Sequence, residues 1–120
     1  MTAEELIHIA NKWMEFFNEK NLESLLSMYD DMAQHYSPKL KIRHPETQGF
    51  IKGKEALRKW WADSFERLPT LQYKLVRLTP YHDRIFMEYT RHVENEGDLH
   101  VGEMLEVVDG RIFASTVFHR

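Results

Sequence analysis

The sequence predicts an α+β domain in which N-terminal helices cover one face of a curved, mainly antiparallel sheet. Three observations carry that prediction. As far as Leu68 the apolar residues recur mostly at helical spacing, whereas after Pro69 the chain is rich in β-branched and aromatic residues. The later segments are joined by turn chemistry, Pro80-Tyr81-His82-Asp83, Asn95-Glu96-Gly97-Asp98 and Asp109-Gly110. Helices first and a meander afterwards is the order of an α+β fold with segregated layers.

The first helix is announced by Thr2 with Glu5 three residues later, a capping box in which each side chain satisfies a free backbone N–H. Leu6, Ile9, Ala10, Trp13, Phe16 and Phe17 then form one stripe, which ends near Asn18. Asn21 caps a second helix with the stripe Leu22, Leu25, Leu26 and Tyr29, and Asp30-Asp31 marks its end. A short strand, Ala33 to Ser37, stops at Pro38. Residues 39 to 53 read as irregular, broken by Pro45, Gly49 and Gly53. A third helix runs from about Lys54 to Leu68, with Leu57, Trp60, Trp61, Phe65 and Leu68 on one side. The two adjacent tryptophans cannot share one face, which leaves one for a pocket mouth or a subunit interface. Four strands follow: Leu71 to Thr79, Arg84 to Glu94, Leu99 to Val108 and Arg111 to His119.

Composition excludes several function classes. The 120 residues suit one domain with a core of its own, and 42% hydrophobic with 29% charged residues describes a folded globule. A formal charge of −3 gives no general attraction to nucleic acid. Cysteine is absent, which removes disulfides, thiol nucleophiles and thiolate zinc sites together. No apolar run approaches the roughly 20 residues of a membrane helix, and Met1-Thr2-Ala3-Glu4-Glu5 is acidic where a signal peptide is basic. A cytoplasmic protein with no membrane partner is the expectation.

Three pieces in order give the chain a family likeness. These are Asn21-Leu22-Glu23-Ser24-Leu25-Leu26-Ser27-Met28-Tyr29-Asp30-Asp31, the helix entry Gly53-Lys54-Glu55-Ala56-Leu57, and the closing Asp109-Gly110-Arg111-Ile112. With their spacing the whole chain resembles the nuclear-transport-factor-two-like superfamily, and within it the SnoaL-like and ketosteroid-isomerase-like proteins. The resemblance implies a single cone-shaped domain, with three N-terminal helices packed on a strongly curved sheet and a ligand pocket at the open end. Steroid isomerases of that group place three polar groups there: a carboxylate base before a proline, a tyrosine on the first helix, and a neutral aspartic acid on the penultimate strand. The matching positions here are Ser37 in Tyr36-Ser37-Pro38, Trp13 in Lys12-Trp13-Met14, and Glu103 in Gly102-Glu103-Met104-Leu105. A serine without a partner base does not abstract a carbon-bound proton, and an indole has no hydroxyl, so steroid isomerisation by that route is not expected.

Strand alternation extends the pocket list. With Glu103 inward, Leu105 and Val107 follow on the same strand. The same matching turns His35 and Ser37 inward, with Phe86, Glu88, Thr90 and His92 on the next strand and Ser115, Val117 and His119 on the last. The expected site is an apolar pocket carrying His35, Glu88 and Glu103, with Trp13 and Phe17 from the first helix. A carboxylate beside His35 would fix its ring and favour its protonated form. Such a set serves either cofactor-independent acid–base chemistry on a small apolar carbonyl compound, or a buried polar network shaping a binding cavity. In the first reading Glu103 and His35 carry protons and Glu88 orients.

Seven histidines stand at 8, 35, 44, 82, 92, 100 and 119, with no pair at zinc-enzyme helical spacing, so neither metal nor cofactor is expected. The basic segment from Lys39 to Lys54 is either a solvated loop or an anion lure at the pocket mouth. Both faces of the strands carry apolar residues; in the last, Ile112, Ala114, Thr116 and Phe118 alternate with Phe113, Ser115, Val117 and His119. Helices cover one face, and a second copy in a homodimer is expected on the other. The alternative function is a non-catalytic ligand carrier or sensor, or a dimeric interaction scaffold.

Overall fold

The structure, a computed structural model, describes residues 1–119. Thr2 and Glu5 form the capping box, each bond 3.1 Å long, and open helix α1 (Ala3–Asn18). Its buried stripe is Leu6, Ala10, Trp13, Met14 and Phe17. Asn21 caps α2 (Leu22–Ser27) by accepting from the Ser24 N–H.

Strand β1 (Tyr29–Tyr36) begins earlier than the helical pattern suggests. Asp30 and Asp31 therefore lie in a strand and do not end α2. Met28 caps that helix, and its carbonyl accepts from Ile112 N–H at 2.9 Å, which draws the chain into the sheet. Tyr29 is fully buried as a strand residue, not as part of a helical stripe.

The stretch after Ser37 is more ordered than its breakers imply. Ser37 accepts from the Lys39 N–H at 3.2 Å and Pro38 takes the first helical position, so α3 (Pro38–Arg43) forms. The helices thus number four among the described residues, not three. A 3₁₀ turn (Pro45–Thr47) follows, then β2 (Phe50–Lys52), which pairs antiparallel with β1. Between them Gly49 has φ +86°, and a Cβ there would lie 2.8 Å from the Tyr36 ring, so only glycine fits. Helix α4 (Lys54–Arg67) buries Leu57, Trp61 and Ser64. Trp60 is only half-buried.

The remaining strands are β3 (Gln72–Tyr81), β4 (Arg84–His92), β5 (Leu99–Val108) and β6 (Arg111–His119). The six-stranded sheet has the order β2-β1-β6-β5-β4-β3 and is open. Only β1 and β6 run parallel; every other pairing is antiparallel. Register shifts interrupt β1, β3 and the β5–β6 pair, and such bulges bend strands. The core lies between this sheet and α1, α2 and α4. No helix among the described residues is long and apolar enough to cross a membrane.

One face assignment must be corrected. Residues directly opposite in an antiparallel pair share a face. Met87, Tyr89 and Ile85 stand opposite Glu103, Val101 and Leu105, so Ile85, Met87, Tyr89 and Arg91 point inward on β4. Phe86, Glu88, Thr90 and His92 occupy the outer face. A turn centred between Glu96 and Gly97 would set Thr90 opposite Glu103. The pair instead pivots about Asn95, held at φ +68°, and the slip reverses the parity of the whole strand.

Candidate functional site

Between the sheet and α1, α3 and α4 lies a cavity of ≈ 250 Å³. Of the residues expected there, Trp13, Phe17, His35, Ser37, Glu103, Val117 and His119 line it. Ser115 and Leu105 are buried, but they do not border it. Phe86, Glu88 and Thr90 are on the opposite side of the sheet. Glu88 there lies 3.9 Å from Arg77 and does not orient His35. Phe86 borders a more open depression with Phe118 and Val76.

His35 is held by a chain of buried hydrogen bonds. The Trp13 indole N–H donates to the Tyr29 hydroxyl (3.0 Å), and that hydroxyl donates to Ser115 Oγ (3.1 Å). Ser115 Oγ lies 2.7 Å from His35 Nδ1. The parallel pairing of β1 and β6 sets His35 level with Ser115, which makes this contact possible. Burial drives the His35 pKa down to about 4, opposed only by the Ser115 backbone. No carboxylate contributes, so the expected carboxylate-stabilised, protonated histidine is not what the fold builds. The ring is neutral at pH 7.

Glu103 is the second polar centre. Tyr89 O–H donates to its Oε1 at 2.7 Å, and its Oε2 is buried without a partner among the described residues. Burial raises its pKa to about 7, partly countered by the Tyr89 hydrogen bond. Tyr89 itself is pushed well above the usual phenol range, first by burial and then by the Glu103 charge, so it remains a donor. At neutral pH Glu103 is divided between acid and carboxylate, the condition that suits a proton carrier.

The wall above these groups is aromatic. Tyr73 stacks between Phe17 (4.0 Å) and Tyr89 (4.1 Å), and Trp13 stacks on Phe17 at 5.2 Å. Trp61 meets Tyr29 edge-on at 5.1 Å. Tyr73, Tyr89 and Arg91 were not among the residues read from the sequence. For Tyr89 and Arg91 the local signal was the alternation of the segment Arg84 to Glu94, with Ile85, Met87, Tyr89 and Val93 on one parity and Glu88, Thr90, His92 and Glu94 on the other.

Lys39 and Arg43 from the basic segment reach the cavity, together with Arg67 and Arg91. Lys54 instead pairs with Asp31 (3.4 Å). Among the described residues no group of three His, Asp or Glu side chains is arranged to hold a metal ion.

The family model of the SnoaL-like domain matches residues 10–115. The chain belongs to the SnoaL-like family. No curated protein matches the sequence. Among solved structures, this SnoaL-like chain is similar to a SnoaL-like protein of unknown function from Burkholderia thailandensis, with TM-score 0.86 and 20% identity over 100% of this chain and 98% of that one. A candidate polyketide cyclase from Sinorhizobium meliloti gives TM-score 0.80 and 13% identity over 98% of this chain and 100% of that one. A candidate ketosteroid isomerase from Kribbella flavida gives TM-score 0.79 and 19% identity over 98% and 78%. At these identities the likeness concerns the fold alone.

Proposed function

We propose that this SnoaL-like protein binds a small, largely apolar carbonyl compound and catalyses proton transfer at the carbon beside the carbonyl, without a cofactor. The observation that carries this reading is the unpartnered, buried Oε2 of Glu103 in a cavity shared with a neutral His35. Protonated Glu103 donates a hydrogen bond to the carbonyl oxygen and stabilises the enolate that forms there. With its own proton on Nδ1, beside Ser115, His35 offers an Nε2 lone pair to the cavity and takes the proton from carbon. Its low pKa keeps the ring uncharged at the working pH, although it makes the imidazole a weaker base than a free one. Return of the proton to another carbon gives isomerisation; attack of the enolate on a second carbonyl gives cyclisation.

The test is hydrogen–deuterium exchange next to the ketone of 4-phenylbutan-2-one and related aryl ketones in D₂O, followed by NMR. Enzyme-dependent exchange should fall about 100-fold or more in Glu103→Gln and in His35→Ala. Binding without exchange in the wild type would favour the alternative, a ligand carrier or sensor.

The outer sheet face supports a homodimer. Phe118 and Val76 are 51% and 64% exposed there, beside Phe86. Such apolar surface on a sheet is normally covered. Sedimentation at micromolar concentration should give a dimer, and a monomer would overturn this part of the reading.

A further inference from the structure

The mouth of the cavity has a chemistry that the proton-transfer centre does not use. Four cationic side chains, Lys39, Arg43, Arg67 and Arg91, border this one cavity on a chain of net charge −3. They come from different elements, α3, the end of α4 and the end of β4, which converge beside His119 at the end of β6. Arg43 and Arg67 share Asp63, at 3.7 and 2.7 Å. Lys39 has no ion-pair partner among the described residues.

Arg91 is the most informative of the four. Its side chain is only 10% exposed, on the inward face of β4, and its single described contact is Nη1 to Glu96 Oε1 at 3.4 Å. A guanidinium carries five N–H donors. Among the described residues no Arg91 nitrogen is buried without a partner, and the side chain lines the cavity. A mostly buried arginine with idle donors is built to be met by an acceptor from outside. Lys39 and Arg91 also act on a common point, since both depress the pKa of His119 after burial does.

We propose that Arg91, Lys39 and His119 form an anion subsite, and that the ligand is an amphiphilic keto acid whose carboxylate lies at the mouth while its carbonyl reaches Glu103. This deepens the proton-transfer reading and rests on it for the position of the carbonyl. The sheet sets the length. His119 lies two residues beyond Val117, the partner of Glu103, and Arg91 pairs with Leu99, four residues before Glu103 on β5. At about 3.3 Å per residue the anion and the carbonyl are roughly 7–13 Å apart. Glu96 competes for Arg91 and must yield when the carboxylate enters.

The experiment compares 7-oxo-7-phenylheptanoate, whose ketone and carboxylate lie about 7–8 Å apart when extended, with its neutral amide, 7-oxo-7-phenylheptanamide, by quenching of tryptophan fluorescence at low ionic strength. The carboxylate should bind about tenfold tighter or better, and added salt should erode that preference. Lys39→Gln and Arg91→Gln should each weaken the carboxylate about tenfold and leave the amide unchanged, whereas Glu96→Gln should tighten the carboxylate. If Arg91→Gln fails to fold, the half-exposed Lys39→Gln decides alone. Equal binding of acid and amide, or a preference that survives in both variants, overturns the anion subsite and leaves the proton-transfer reading standing. Failure of both compounds to bind overturns both.

Discussion

Replacing Glu103 with glutamine should stabilise the protein at alkaline pH relative to wild type, by an amount that vanishes in acid. The side chain is 1% exposed, and burial raises its pKa from 4.5 to about 7. A carboxyl raised in this way contributes stability that is fully present below its unfolded value. That contribution is lost as the pH rises through the folded value. The loss here falls between pH 4.5 and about 7. At about 1.4 kcal/mol per pH unit it amounts to roughly 3 kcal/mol by pH 9. Glutamine keeps an oxygen for the Tyr89 hydroxyl and never ionises, so the variant escapes this loss. His35 titrates with the opposite sign, its lowered pKa costing stability as the pH falls below about 6.5, but it does so in both proteins and cancels in the difference. Urea unfolding at pH 4, 5.5, 7 and 9 gives the four differences directly. Parallel stability curves, or a difference that favours wild type at high pH, would refute the buried, uncompensated carboxyl on which the site is argued.

Proton exchange should follow a bell, because His35 must be neutral and Glu103 protonated. The limbs in kcat/KM should lie near pH 4 and pH 7, and Glu103→Gln should abolish the alkaline limb along with most of the rate. Ser115→Ala removes the oxygen shared by Tyr29 and His35, so it should cost about 1–3 kcal/mol of stability and broaden the His35 ring signals in NMR relaxation-dispersion measurements. Trp13→Phe keeps the stack on Phe17 but loses the indole N–H, with an expected cost of about 1 kcal/mol by urea unfolding. Glu88→Gln should leave ketone exchange within about twofold of wild type, since this residue sits on the far side of the sheet. A large loss of exchange there would mean that the outer face reaches the chemistry.

The parts of the molecule set by local chemistry were legible in the sequence. Thr2, Glu5 and Asn21 cap the helices they announce, and Asp109-Gly110 closes the β5–β6 hairpin at the expected place. Glu103, His35 and Trp13 border one cavity. Pro38 was ambiguous because a proline ends a strand and starts a helix with equal ease, and here it does both. Glu88 and Tyr89 were exchanged because parity was carried over from Glu103 across an assumed turn, although Ile85, Met87, Tyr89 and Val93 alternate with Glu88, Thr90, His92 and Glu94 and favour the observed face. The pivot at Asn95 sets the register that the turn assumption missed. The link from Ser115 to His35 joins residues 80 apart in sequence. Here the parallel pairing of β1 with β6 makes it, and no local pattern announces which strands become neighbours or in which direction they run.

That pairing also orders events in time. β1 leaves the ribosome before β2 to β5, yet its parallel partner is β6, the last strand of the sheet in chain order. Until β6 arrives, β1 has only the three-residue β2 beside it, and Tyr29 and His35 have no serine to meet. Non-local pairing of this kind slows folding, because a long loop must close before the contact is gained. The helices and the β3–β4–β5 meander can form from nearby residues, whereas the floor of the cavity is assembled last. A chain cut before β6 should therefore collapse around its helices and still lack a site, and strand capture by β6 becomes the step at which binding competence appears.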